Sequence, residues 1–184
     1  DHGHGHGGPG HSLGGCVAQQ IAAEHPWLVR KLILIGTAPR GGEEHLLAVL
    51  QEAFSQTDAP DPRLPLFFTK SSASRSAGLA FLKRAKVRKD DRDTDNGSAV
   101  TDPQAKALVT WCATPDPEHA ILRAIRQPAL VVSGSHDTML PADNAYAMFK
   151  ALSNAQLVLY PDSGHGALFQ YHELFVSHVQ TFLE

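Results

Sequence analysis

The chain has 184 residues, 42% hydrophobic and 19% charged, which is ordinary for one globular domain long enough to bury a sizeable core. Its net charge of -3 gives no electrostatic case for nucleic acid or an anionic membrane, and the most basic stretch, LKRAKVRKDDRD, carries its own acids Asp90, Asp91 and Asp93. No apolar run approaches the roughly 18 residues of a membrane span, and the start has neither the basic segment nor the apolar core of a signal peptide, so a cytoplasmic protein is expected.

In chain order, the first feature is DHGHGHGGPG, in which Gly and His alternate and no apolar strand is legible. His2, His4 and His6 have metal-binding chemistry, but no carboxylate or cysteine framework accompanies them, so a metal site is not expected there. The stretch GHSLGG follows, Gly10 to Gly15, and then Leu13, Val17, Ile21 and Ala22 at helical spacing up to Pro26. Ser12 is therefore placed at a helix N-terminus. KLILIGTAP holds four consecutive apolar residues, Leu32 to Ile35, the pattern of a parallel strand buried on both faces.

From about residue 41 to 126 the pattern changes. EEHLLAVLQEAF, SRSAGLAFLKRA, DPQAKALVTWCA and DPEHAILRAI read as amphipathic helices, separated by loops such as TDAPDPRLP and KDDRDTDNGS. This region is expected to be a helical insertion. Alternation of strand and helix then resumes with PALVVSGS, PADNAYAMFKAL and AQLVLYP, and ALFQYHELFVSHVQTFL reads as one closing helix. Cys16 and Cys112 both fall inside apolar helical patterns, which favours buried thiols over a disulfide.

Three groups with matching chemistry fall at turns beside these elements. Gly-x-Ser-x-Gly, Gly10 to Gly14, suits a nucleophile elbow, a tight turn that glycine lets the backbone close around. The following helix favours negative charge at its N-terminus, and the backbone N–H of Leu13 is placed to donate to an oxyanion. A serine hydroxyl is inert without a base. His165 in PDSGHGALF follows a strand and supplies one, with Gly164 and Gly166 expected to give its loop freedom. Asp137 in SGSHDTMLP, also beyond a strand, supplies the carboxylate that fixes the imidazole tautomer. The order Ser, Asp, His along the chain makes the combination far more specific than any one signal.

With these residues in view, the chain resembles the α/β-hydrolase superfamily, in particular its single-domain bacterial members with a helical cap. GHSLGG and the helix and strand behind it resemble the family's elbow, LVVSGSHDTMLP its acid loop, and LVLYPDSGHGALFQ its histidine loop. The resemblance implies an α/β fold with a mostly parallel sheet, helices on both faces and a helical cap. It divides the chain into a truncated start of the core at 1–40, the cap at 41–126, and the rest of the core at 127–184. It also implies Ser12 as nucleophile, Asp137 as acid and His165 as base, acting on a small-molecule acyl substrate through an acyl-enzyme, without a metal or an organic cofactor. Serine at position 12 disfavours the haloalkane dehalogenase and epoxide hydrolase branches, whose nucleophile is a carboxylate.

The departure is at the start. Family members carry several strands, a helix and a His-Gly oxyanion loop before the serine, whereas eleven residues precede Ser12 here. HGGPG, His6 to Gly10, resembles that loop but abuts the elbow, so the N-terminal part of the sheet is expected to be missing. Leu32 to Ile35 would then have an open edge, through which the chain is expected to dimerise, bind a complementary segment or aggregate. Three functions remain open: a carboxylesterase-like serine hydrolase, a weak or inactive hydrolase fragment serving as a binding module, and a perhydrolase or haloperoxidase-like activity on the same triad. The apolar character and the lack of a paired basic cluster favour neutral, hydrophobic acyl groups. Leu46, Leu50, Phe54, Phe67, Phe68 and Trp111 are the candidates for lining the pocket, most of them expected in the core.

Overall fold

The computed structural model describes residues 6–43, 46–55, 61–91 and 97–184; His2, His4 and the side chains of His6 and Phe54 lie outside that description. Strands β1 (His6–His11), β2 (Val29–Ile35), β3 (Ala129–Gly134) and β4 (Ala155–Tyr160) form one sheet in that order, with every neighbouring pair parallel. Helix α1 (Leu13–Glu24) joins β1 to β2. Between β2 and β3 run α2 (Leu46–Ser55), α3 (Arg63–Phe67), α4 (Ser72–Ala85), α5 (Ser98–Ala113) and α6 (Ala120–Ala124). Helix α7 (Ala142–Ala151) joins β3 to β4, and α8 (Ala167–Gln170) and α9 (His172–Leu183) close the chain.

The strand alternation explains the two cores. Side chains of successive strand residues point to opposite faces, so an all-apolar strand requires cover on both. Leu32, Leu34, Ala129 and Val131 pack with Ala22 of α1, Leu122 and Ile125 at α6, and Ala145 and Met148 of α7. Ile33, Ile35, Leu130 and Val132 pack on the other face with Tyr160, Ala167 and Phe182. A third cluster unites Cys16, Ala38, Leu46, Leu66, Leu108, Cys112, Met139 and Leu140, tying α2, α3 and α5 to loops that leave the carboxyl ends of β2 and β3. The stretch 41–126 is thus not uniform: its last helix, α6, belongs with α1 and α7 beneath the sheet.

The Gly/His-rich start corrects the sequence reading. HGGPGH is a strand, and it pairs with β2 from His6 opposite Val29 to His11 opposite Ile35, with an irregularity between His6 and Gly8. Strand pairing uses backbone N–H and C=O groups, which glycine supplies as well as any residue, and the apolar partner β2 provides the template. HGGPG is therefore not a loop, and β2 is paired on both edges. The open edge expected at Leu32 to Ile35 is thus filled by β1.

Two smaller differences concern helices. The reading of TDAPDPRLP as a loop misses α3, whose first turn is held by Asp61 accepting from the backbone N–H of Arg63 at 3.0 Å and pairing with its guanidinium. The single closing helix is broken at Tyr171, whose ring stacks on Tyr160 at 5.1 Å and whose hydroxyl donates to the Pro161 carbonyl at 2.9 Å. Both cysteines are buried and free. Among the described residues no helix is long and apolar enough to cross a membrane.

Leu34 is completely buried between the sheet and its helices. Leu34→Ala is expected to destabilise the fold by about 2–5 kcal/mol, as a lower denaturation midpoint at unchanged slope in urea.

Candidate active site

Parallel strands all finish at one edge, and the three singled-out residues lie there: Ser12 directly after β1, Asp137 in the loop after β3 and His165 in the loop after β4. Ser12 occupies a sharp corner, with φ 55 and ψ -123, a conformation costing a non-glycine residue on the order of 1–3 kcal/mol. The corner is held from several directions. The Ser12 N–H donates to the Ile35 carbonyl at 3.0 Å, and the Ser12 carbonyl accepts from the Thr37 hydroxyl at 2.8 Å and from the Gly15 N–H at 2.9 Å. Buried Gln19 adds a tie between α1 and the loop after β2, donating to the carbonyls of Gly15 and Ala38 at 3.2 and 3.1 Å. Trp111 of α5 donates to the same Ala38 carbonyl at 3.1 Å.

The glycines of the elbow divide their labour differently from the motif. A β-carbon at Gly10 would lie 2.5 Å from the Gly14 carbonyl oxygen, and one at Gly15 would lie 2.5 Å from the Thr37 side chain. At Gly14, the second glycine of Gly-x-Ser-x-Gly, a β-carbon would meet nothing within 4 Å. The close approach is therefore at Gly10 and Gly15.

Asp137 and His165 are brought together directly. His165 Nδ1 donates to Asp137 Oδ2 at 2.8 Å, and both residues are almost fully buried. Asp137 Oδ1 accepts from the backbone N–H groups of Met139 and Leu140, each at 2.9 Å. These bonds fix the carboxylate, and with Nδ1 protonated the neutral imidazole carries its lone pair on Nε2. Gly36, at φ +47, passes close beside the pair: a β-carbon there would be 3.3 Å from His165 Nδ1.

Ser12 is joined to this pair through its neighbour His11. The rings of His11 and His165 are 4.8 Å apart, and His11 Nε2 donates to the His165 carbonyl at 3.1 Å. Ser12 Oγ makes no hydrogen bond to another described residue, and Ser12 lines a cavity of ≈ 520 Å³ with His11, Leu13, Gly14, Val17 and Gln104. His165 and Asp137 are not part of that lining. Leu13 opens α1, so its N–H lies outside the helix's own bonding ladder, and the residue lines the cavity. Sequence reasoning missed His11, Thr37 and Gln19, because none of them belongs to the Ser, Asp, His chemistry that directs the search.

The surroundings of His165 are aromatic. Phe67 lies 5.6 Å from its ring and stacks with Phe169, which in turn meets Phe81 at 4.6 Å. Of the pocket candidates, Phe67 thus contacts the histidine, Leu46 and Phe68 are core, and Trp111 borders a separate cavity of ≈ 580 Å³ with Gln20, Arg40 and Lys106. Burial pushes both thiols up, Cys112 to about 12, which keeps them in the neutral thiol form. Among the described residues no cluster of His, Cys, Asp and Glu could hold a metal ion.

The model of the α/β hydrolase fold family matches residues 9–170, and the chain belongs to that family. It is 29% identical to a pimeloyl-[acyl-carrier protein] methyl ester esterase of Nitrosomonas europaea, over 91% of this chain and 67% of that protein. It is 28% identical to a 2-hydroxymuconate semialdehyde hydrolase of Pseudomonas putida, over 95% of this chain and 60% of that protein. An α/β hydrolase fold protein from Chitinophaga pinensis superposes with a TM-score of 0.87 at 37% identity, covering 95% of this chain and 63% of that one. The chain spans about two thirds of the length of these relatives.

Two expectations follow from the geometry. Gly10→Ala should cost about 1–3 kcal/mol through overpacking, whereas Gly14→Ala should be neutral or stabilising by up to about 1 kcal/mol, as read from urea midpoints. His11 is held neutral, its pKa lowered to about 4 by burial first and by neighbouring His165 second. Between pH 6.5 and 4 the unfolded chain then binds a proton that the folded chain refuses, so stability falls as pH drops through that window. His11→Gln should flatten this decline in denaturation curves across the same range; an equally steep decline would show that His11 is not its source.

Proposed function

We propose that the chain is a serine hydrolase that cleaves an ester or related acyl bond of a small, hydrophobic substrate through an acyl-enzyme. The observation that carries the reading is the buried Asp137–His165 hydrogen bond at the same sheet edge as a serine held at positive φ and opening a helix. The esterase and hydrolase names of the relatives support it. Helices α2 to α5 act as a cap, and the ≈ 520 Å³ beside Ser12 suits a small ligand.

In this reading His165 Nε2 takes the proton of the Ser12 hydroxyl as Oγ bonds to the acyl carbon and the carbonyl electron pair moves onto oxygen. The resulting oxyanion accepts the Leu13 N–H, aided by the α1 dipole. Collapse of the tetrahedral species breaks the bond to the alcohol, which leaves with the proton from His165. Water, deprotonated by the same imidazole, then releases the acid and restores Ser12. Asp137 holds the ring's tautomer and stabilises the imidazolium formed in each half.

Hydrolysis of a series of p-nitrophenyl esters tests this. Ser12→Ala and His165→Ala are expected to lower kcat/KM by about 10³-fold or more, and Asp137→Asn to lower it strongly as well. Neutral acyl chains should be preferred over anionic ones. Full activity in the His165 variant would overturn the assignment.

A further inference from the structure

The loop that carries His165 is flanked by glycines, yet it is not left free. Gly164 and Gly166 let it lie against the end of α3: β-carbons there would meet the Leu66 and Phe67 backbone at 3.0 Å and the Phe67 side chain at 2.6 Å. Across this contact the His165 N–H donates to the Leu66 carbonyl at 3.2 Å and the Gly166 N–H to the Phe67 carbonyl at 3.0 Å. Glycine serves close approach here, the two backbone bonds hold the loop at His165 and Gly166, and its start is held separately.

Asp162 supplies a means. It sits at the start of this loop with φ 44, a left-handed conformation that aspartate tolerates better than most residues. Its carboxylate accepts from the Thr69 hydroxyl at 2.6 Å and from the Ser71 hydroxyl at 2.5 Å, both in the turn that leads into α4. A second path closes the circuit: the Asp162 carbonyl accepts from Gln170 Nε2 at 2.8 Å, Gln170 Oε1 accepts from the Ser74 hydroxyl at 2.7 Å, and Ser74 Oγ accepts from the Thr69 N–H at 2.8 Å. Ser71 also caps α4 by accepting from the Ser74 N–H at 3.1 Å. The two hydroxyls hold the Asp162 carboxyl below the usual carboxylate range, as expected for an ionised acceptor.

We propose that Asp162 is a positioning residue: by gripping Thr69 and Ser71 it latches the histidine loop to the helical segment and holds His165 in register with Ser12. The claim about turnover rests on the Ser12–His165–Asp137 reading; the latch itself does not. A loose histidine loop costs rate because small misplacements of a proton acceptor are expensive, up to about 100-fold for roughly 1 Å.

The test uses the full chain with three variants and two readouts. Asp162→Gly removes the carboxylate without backbone strain, Thr69→Val with Ser71→Ala removes the partners without touching the loop, and Asp162→Asn keeps an acceptor and the left-handed conformation. In the first two, amide hydrogen exchange at His165 and Gly166 is expected to quicken about 10-fold or more, with kcat on p-nitrophenyl esters falling about 10-fold and KM staying within about twofold. Asp162→Asn should restore both within about threefold. Unchanged exchange in both disrupted variants would overturn the latch, and faster exchange with unchanged kcat would overturn the positioning role. Retained activity in Ser12→Ala and His165→Ala would defeat the triad reading instead, while the exchange data would still decide the latch.

Discussion

The four strands of the described residues run in one direction and must end at one edge, and the rest of the molecule is arranged around that constraint. The middle strands, β2 and β3, are apolar enough to need cover on both faces, so helices occupy the faces and polar chemistry is confined to the strand ends. There the backbone leaves the hydrogen-bonded ladder and is free to turn. Residues far apart in sequence, at positions 12, 137 and 165, are thereby delivered to one place without any contact between them having to drive the fold. The third cluster, built from α2, α3 and α5 over the same edge, closes the region from above.

Turning sharply has a cost, and the structure concentrates support where the turns are. Ser12, Gly36 and Asp162 all have positive φ at this edge. Asp91, Glu118 and His119 share the sign in turns away from it, so the sign alone does not mark a site. What distinguishes Ser12 is the bonding around it, with Ile35, Thr37 and Gly15 each engaging its backbone. An order of magnitude of 1–3 kcal/mol of strain is tolerable only where neighbours over-determine the conformation in this way. Asp137 shows the same economy, its carboxylate held by Met139, Leu140 and His165 together.

Much of this was legible in the sequence. Leu32 to Ile35 and Ala129 to Gly134 announce buried strands through unbroken apolar runs, and the helix after Ser12 is marked by its spacing and by Pro26. The Asp137–His165 contact was also within reach, because both residues follow apolar strands. Strand β1 was not legible: HGGPGH has no side-chain pattern to read, and its pairing comes from the backbone and from the partner strand. The role of the glycines was misjudged for a related reason. A β-carbon at Gly14, which belongs to the motif, would meet nothing within 4 Å, while Gly15, outside it, is pressed against Thr37, a contact that exists only once β2 has returned beside β1. Asp162, Thr69 and Ser71 were equally invisible, being ordinary loop residues until α4 and the histidine loop meet.

The central claim is that Ser12 is a nucleophile activated by His165. It is tested most directly by treating the intact chain with a fluorophosphonate and mapping the adduct by peptide mass spectrometry. A single adduct on Ser12, formed in the native chain and lost in His165→Ala, is the expected result. No adduct, an adduct on another residue, or equally fast labelling of Ser12 without the histidine would contradict it.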